Sequence, residues 1–600
     1  MKKMKLIPLL ALLFLTAACS SNDTFGDDGH FPGNTPENNG GTSGDDLEDF
    51  DIVPDTSDYA ETPETVPTDE TDENYDDFVE NSTFTTTVTV QYAGNTATVT
   101  NPAEGVTVTR NGAHVTINST VKKIEYILTG TSTDGSFKIY SDNKFKLTLN
   151  GVNLTNPTGA AINIQSKKRA FLISADGTSN TLTDGTSYNT PEGEDLKACL
   201  FSEGQIIFSG TGTLGITGNC KNALCSDDYL RFRTGTRINI TANAKHGIKA
   251  NDNIIIGGGV LNIQTIADAS KGLSCDGDIR ITGGRTTVIT SGGGVYEDND
   301  VSGCAGIKCD GTFTMDAGTL ALKSTRAGGK GLSTDKDLTI NGGTVKVITT
   351  GQQYIYGNLD TSPKGIKSDA NLTINGGEIK VRASGGENSE GIESKATLTI
   401  NGGNIEVSAY DDALNASDHI AITGGNLYAY SSGNDGIDSN GTLTISGGTT
   451  VASGTRMPED GIDCDQNTFI IDGGTVIGIG GSTSVPTAGQ CRQPSIIYGG
   501  SGSANTYLSL ADSGGANILI YKIPRSYSQM TVLISSPSLK QNAVYTLSAG
   551  GQTSGGENFH GLIRGGAYTD GSQLASFTLN TMVTTYGFSG GMGGGPRDGL

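Results

Sequence analysis

Tryptophan is absent from the 600 residues, histidine occurs five times, and acidic residues outnumber basic ones by 24. No apolar run reaches the roughly 20 residues that cross a bilayer as a helix. Residues 20 to 80 contain no Lys or Arg, although twenty of them are Asp or Glu. His30, His114, His246, His419 and His560 are scattered, with no recurring Ser/His/Asp or Cys/His arrangement, so nucleophilic catalysis of that kind is not expected. Nine cysteines occur without a CxxC pair, which argues against a zinc site. No basic segment is interleaved with aromatics, so nucleic acid is not an expected partner.

The chain opens MKKMKLIPLLALLFLTAACSS. A basic start, a short apolar run and small residues ending in a cysteine resemble a bacterial lipoprotein signal. This predicts a signal peptide over residues 1–18, lipidation at Cys19 and anchoring in a bacterial envelope membrane through acyl chains alone. An outer-membrane, cell-surface position is expected. Residues 19–80, acidic and rich in Asn, Pro, Gly, Thr and Ser, are expected to form a disordered tether. The tether supplies −20 of the net −24 and the signal +3, leaving −7 for residues 81 to 600. The folded part is only mildly acidic.

Glycine accounts for 87 residues and recurs with a period. Residues 364 to 383, KGIKSDANLTINGGEIKVRA, show the unit: a Gly-Ile step, a short strand, a Gly-Gly turn and a second strand. The aligned small positions are Ala223, Gly247, Gly272, Gly306, Gly331, Gly365, Gly391, Ala413, Gly436 and Gly461. Most are 22 to 26 residues apart; two spacings of 34 contain extra loops around 291–303 and 351–362. A period near 24 with about three strands and no helical pattern predicts an all-β, right-handed parallel β-helix over residues 151–490. Residues 81–150 are expected to form an N-terminal β region or cap, and 491–600 a C-terminal β region with a Gly-rich tail.

Alternation along a strand puts Ile366, Ile392, Leu414, Ile437 and Ile462 in one inward column. A column of small residues (Cys275, Cys309, Ser368, Ser394, Ser439, Cys464) lies beside it. Cys275 and Cys309 would stack about 4.8 Å apart, a separation that permits a disulfide. The outward column between them changes sign along the solenoid. It runs Lys249, Ser274, Lys308, Ser333, Lys367, then Glu393, Asn415, Asp438 and Asp463. The residue before the small position follows suit, with Lys330 and Lys364 giving way to Glu390, Asp412, Asp435 and Asp460. Asp411 and Asn434 precede two of these. Carboxylates stacked at this spacing repel by roughly 3–4 kcal/mol per pair. Clustered carboxylate and amide oxygens suit Ca²⁺, and a solvated acidic edge is the alternative. Tyr410, Tyr428 and Tyr430 lie beside the acidic edge in sequence and could offer a sugar an apolar face and a hydroxyl.

The segments LNGVNLTNPTGAAINI (149–164), DGTSNTLTDG (176–185) and NDGIDSNGTLTISGG (434–448), with the GGMGGGP end (590–596), resemble exported carbohydrate-binding β-helix proteins typified by a clostridial cellulose- and pectin-binding protein. That resemblance implies a calcium-containing β-helix that binds polysaccharide and is related to calcium-dependent pectate lyases. Asp411 through Asn415, Asn434 through Asp438 and Glu459 through Asp463 approximate the DDGxD-type calcium motif of some of those lyases. Their Lys base has no counterpart that the sequence identifies, so no catalytic residue is assigned.

The expected function is calcium-assisted binding of an acidic, uronate-containing polysaccharide by a monomer, with Lys330, Lys364 and Lys367 attracting the polyanion. A calcium-dependent lyase and an adhesive or structural surface protein are the alternatives.

Overall fold

The computed structural model describes residues 47–57 and 59–587. The signal segment, Cys19 and the GGMGGGP end lie outside them. Among the described residues there is no α-helix; the chain forms a long parallel β-helix with antiparallel sheets at its C-terminal end.

One coil illustrates the rest. Ile366–Ser368 belongs to a fifteen-stranded sheet, while Leu372–Ile374 and Glu378–Ala383 belong to a larger sheet that carries two ladders. The Gly-Gly step between the last two strands makes the bend, and its second glycine takes φ of 98° at Gly377 and 96° at Gly403, which a side chain would resist. Coils stack in register: Leu332, Ile366, Ile392, Leu414, Ile437 and Ile462 succeed one another directly and are wholly buried.

The neighbouring small column is more than filler. Ser368 Oγ donates to Asn371 O at 3.2 Å, Thr334 Oγ1 to Lys336 O at 2.8 Å, and Cys309 Sγ to Thr312 O at 3.2 Å. Each closes the following turn by satisfying a carbonyl, which is why Ser, Thr and Cys interchange there. Cys275 and Cys309 are register partners, yet both are free thiols engaged with turn carbonyls.

The Gly before each inward aliphatic has a steric origin. A methyl at Gly365 would fall 2.4 Å from Gly391 O and 2.4 Å from Val381 Cγ1. Where Ala413 replaces it, the valine ladder Val381–Val407 is followed by Ala429. Gly365→Ala should therefore destabilise the fold by about 1–3 kcal/mol through overpacking, and adding Val381→Ala should restore part of it. Equal melting temperatures for Gly365→Ala and the parent would refute this account.

The solenoid begins before residue 151. Thr86–Ala93 already pairs parallel with Ile124–Ser132, and Ala113–Ser119 with Gly135–Ser141. Residues 81–150 are thus early coils, fronted by the antiparallel pair Val106–Asn111 and Ala113–Ser119. At the other end Phe469–Gly480 pairs antiparallel with Tyr527–Ser535, and a six-stranded antiparallel sheet spanning residues 507–578 follows. Its apolar side packs with Tyr428, Tyr430, Val451, Ile477 and Ile479 on the outside of the last coils.

The acidic segment departs most from expectation. Residues 47–57 and 59–81 are not a free tether: they lie along the solenoid against basic side chains from successive coils. Asp55 meets Arg285 at 2.8 Å, Glu64 meets Arg231 at 2.9 Å and Arg233 at 3.1 Å, and Asp77 meets Arg169 at 3.2 Å. Phe78 is buried beneath Arg233, whose guanidinium stands 4.0 Å from the ring centroid. Scattered arginines and a few apolar anchors supply what the acidic composition alone lacks.

Candidate functional site

The site lies on the outer face of the fifteen-stranded sheet, where the coil periodicity brings residues about 24 apart in sequence side by side. The outward column forms as the sequence predicts: Lys367, Glu393, Asn415, Asp438 and Asp463 are consecutive register partners. The preceding residues are linked by the same ladder, with Gly365 N bonding Glu390 O, Gly391 N bonding Asp412 O, and Gly436 N bonding Asp460 O.

Three carboxylates converge. Oxygens of Asp435, Asp438 and Asp463 all lie within 4.8 Å of one another. Two oxygens bound to one Ca²⁺ at about 2.3–2.6 Å are separated by at most ~5 Å, so the spacing fits such an ion. Around them Asn415 Nδ2 donates to Asp412 Oδ2 at 3.1 Å and to Asp438 Oδ2 at 2.9 Å, and Asp435 N donates to Asp412 Oδ1 at 3.1 Å. Asp460 N donates to Asp435 Oδ1 at 2.5 Å, and Ser484 Oγ to Asp463 Oδ1 at 2.6 Å. Asn434 Nδ2 holds Asp411 Oδ1 at 2.8 Å, one step out from the triad.

This concentration of negative charge is electrostatically costly. Burial, reinforced by neighbouring carboxylates, pushes Asp438 up to about 7 and Asp460 up to about 8. The same causes raise Asp412 and Asp435 well above the ordinary carboxylate range. Carboxylates so placed hold protons near neutrality unless a cation replaces them.

Other expected site residues have different partners. Glu390 and Glu393 are not part of the metal cluster: Lys364 inserts between them, pairing with Glu390 and lying 3.6 Å from Glu393, which also meets Lys395 at 2.5 Å. Burial pushes Glu393 up, but Lys364 and Lys395 outweigh it and hold its carboxyl low. Lys364 is itself only 7% exposed, so it closes a buried ion cluster and does not face a ligand. Lys330 Nζ donates to Thr361 Oγ1 at 2.6 Å under a loop. Lys367, paired with Asp369 at 2.8 Å, remains on the outer column. Tyr428 and Tyr430 are buried: the first stacks on His560 at 3.9 Å and the second lies 4.0 Å from the Arg525 guanidinium. They point away because they belong to the larger sheet, whose outer face the C-terminal sheet covers. Tyr410 is 41% exposed.

A profile of proteins described as carbohydrate-binding domain-containing matches residues 111–306, 238–387 and 385–496, well over half the chain. The chain belongs to this carbohydrate-binding domain family. One relative, a carbohydrate-binding domain-containing protein of Acetivibrio thermocellus, is 34% identical over 123 residues, which is 20% of this chain and 42% of that protein. The similarity therefore spans less than half of the relative. A solved structure, a polysaccharide lyase-like protein from C. thermocellum, aligns with 60% of this chain and 97% of its own at 20% identity and a TM-score of 0.19. In this family member the matched residues take in the whole acidic column.

The two loops expected in the long spacings are present, but the sequence reading gave them neither a structure nor a role. Each folds as a hairpin, Val295–Glu297 with Asp300–Ser302 and Tyr354–Tyr356 with Leu359–Thr361. The available signal was the spacing of 34 itself, together with tyrosines inside both insertions.

Proposed function

We propose that the protein is a cell-surface lipoprotein, anchored through Cys19, that binds an acidic polysaccharide with Ca²⁺ at Asp435, Asp438 and Asp463. The observation that carries this reading is the convergence of three carboxylates within 4.8 Å on an outer β-helix face, in a chain of a carbohydrate-binding family. Their all-oxygen donor set suits a hard cation. Bound Ca²⁺ would leave coordination positions for a uronate carboxylate, since it takes six to eight oxygens. Lys367 on the same column supplies positive charge to the rest of an anionic chain.

Binding is favoured over elimination by the position of the bases. Burial and the neighbouring Lys367 and Lys364 push Lys330 down to about 7, which would suit a general base. It stands four coils from Asp435, however, roughly 19 Å at ~4.8 Å per coil, beyond reach of a carbon held at the triad.

The test is retention on polygalacturonate with calcium or chelator. Calcium-dependent retention is expected, weakened at least about tenfold by Asp435→Asn with Asp438→Asn and accompanied by no growth of unsaturated product. Retention indifferent to both chelator and the double substitution would refute the calcium-bridged reading. Product growth abolished by Lys330→Ala would make the protein a lyase.

A further inference from the structure

We infer that the stacked tyrosines Tyr296 and Tyr356, carried on the two hairpin insertions, form the platform on which sugar rings of the bound polysaccharide pack. The inference rests on the polysaccharide-binding reading and adds to it a subsite away from the acidic triad.

The hairpins are not needed to build the solenoid, because neighbouring coils close in about 24 residues without them. They emerge from coils separated by one intervening coil, yet their tips meet. The rings of Tyr296 and Tyr356 lie 4.0 Å apart and 12° from parallel. Two independent insertions are thus matched to each other.

Part of their apolar surface is left in water, although Tyr296 is half-buried. Tyr356 is 51% exposed and the adjacent Ile355 63%. Single exposed apolar residues need no explanation, but a matched aromatic pair presented at the tips of two insertions marks an interaction surface. A pyranose offers an apolar C–H face with hydroxyls at its rim. A tyrosine ring with its phenol complements both, which tryptophan would otherwise commonly do in a chain that has none.

The platform is held rigid from below. Tyr354, on the same strand as Tyr356, packs over two glycines: a methyl at Gly294 would fall 2.4 Å from its ring. Thr361 Oγ1 accepts from Lys330 Nζ at 2.6 Å, and Ser302 Oγ accepts from Lys271 Nζ at 3.0 Å. Each hairpin is thereby tied to a lysine on the coil below. A surface fixed before binding loses little entropy when a ligand arrives.

Position also favours a polysaccharide. Both hairpins leave the solenoid at the turn that, in later coils, carries Asp411, Asp412 and Asp435. Contacts run continuously between the two regions: Asn388 Nδ2 donates to Gln353 Oε1 at 3.4 Å, and Asn388 N to Asp411 Oδ2 at 2.7 Å. Exposed Tyr410 lies on the same edge, at the turn two coils beyond the one from which the Tyr356 hairpin emerges. A glycan extended along the solenoid axis would meet tyrosine and then carboxylate.

The test measures binding of the full chain to polygalacturonate and to a neutral β-glucan, with calcium present. Tyr356→Ala should weaken binding to the polymer the parent binds about tenfold, whereas Tyr356→Phe, which keeps the ring and loses only the phenol hydroxyl, should weaken it far less. Tyr296→Ala should follow Tyr356→Ala, and Ile355→Ser should report any general damage to the hairpin tip. The calcium-induced rise in melting temperature should be the same in all four variants, because the platform touches no triad residue. A tyrosine absorbance difference on adding oligosaccharide should be reduced in Tyr356→Ala. Unchanged affinity of Tyr356→Ala and Tyr296→Ala, with a parent that binds, would overturn the platform and leave the proposed function standing. A parent that binds neither polymer would overturn both.

Discussion

Chelated protein should lose stability as pH rises from about 5 to 8, and calcium should suppress that loss. Unfolded aspartates titrate near 3.9, whereas Asp438 and Asp460 in the folded chain are pushed up to about 7 and about 8. Asp412 and Asp435 are also raised, by burial first and then by the charge of Asp438 and the other carboxylates around them. Between those limits the native state binds more protons than the unfolded state, so stability falls with increasing pH. The proton-linked stabilisation is complete below about pH 4 and disappears as pH passes through the folded values. Each unit is worth about 1.4 kcal/mol per independent group; because these carboxylates interact, the expected total is on the order of a few kcal/mol. Calcium that replaces the protons reverses the trend, stabilising by mass action more strongly at pH 8 than at pH 5. Asp435→Asn with Asp438→Asn removes two of the titrating charges and should flatten the chelated profile while abolishing the calcium response. Thermal melts from pH 5 to 8, with chelator and with calcium, test both halves. A chelated melting temperature that holds constant or rises, or a double variant that still responds fully to calcium, would reject the site.

How far the sequence disclosed this arrangement depends on how local each signal is. The register Ile366–Ile392–Leu414–Ile437–Ile462 was legible because a coil repeats its own inward pattern, and a period of two within a repeat near 24 leaves little choice of face. The sign change from Lys367 to Glu393 to Asp438 was legible for the same reason. Where sequence reasoning went astray, the deciding contact came from another part of the chain. Tyr428 and Tyr430 occupy outward strand positions, as expected, but the C-terminal sheet lies over them. Glu390 and Glu393 sit in the acidic column, yet they adjoin the last basic coil, so Lys364 neutralises them and the metal cluster begins only beyond. The early coils before residue 151 lack the Gly-Ile and Gly-Gly steps from which the repeat was aligned. Sequence around Tyr296 and Tyr356 interrupts the repeat, and an interruption predicts a loop without saying that two loops meet.

Arg233→Ala should release the acidic arm, and this is the largest effect expected outside the carboxylate site. The Arg233 guanidinium, on a side chain only 6% exposed, pairs with Glu64 at 3.1 Å and with Glu80 at 2.8 Å while lying over Phe78. Arg231 beside it shares Glu64 and reaches Asp77 at 3.2 Å. Removing one partner of a buried pair commonly costs about 3–5 kcal/mol, because the remaining charge stays desolvated. Here Glu64, whose side chain is 14% exposed, would keep only Arg231. The N-terminal end of the arm is held less firmly: Lys323 meets Asp51 at 2.5 Å, but that aspartate side chain is 65% exposed, and exposed pairs contribute little. The cost can therefore be relieved if residues 47–81 detach while the solenoid persists. Hydrogen exchange should show lost protection across the arm, and a protease should cut it before the coils, with the coil amides unchanged. Glu80→Gln is the contrasting variant, since Glu80 is 48% exposed and its loss should matter far less. High salt should also leave the parent arm in place, because buried pairs are screened much less than exposed ones. If Arg233→Ala protects residues 47–81 as well as the parent does, the arm is held by its apolar anchors Phe78 and Ile52, and the buried arginines only fill space beneath it.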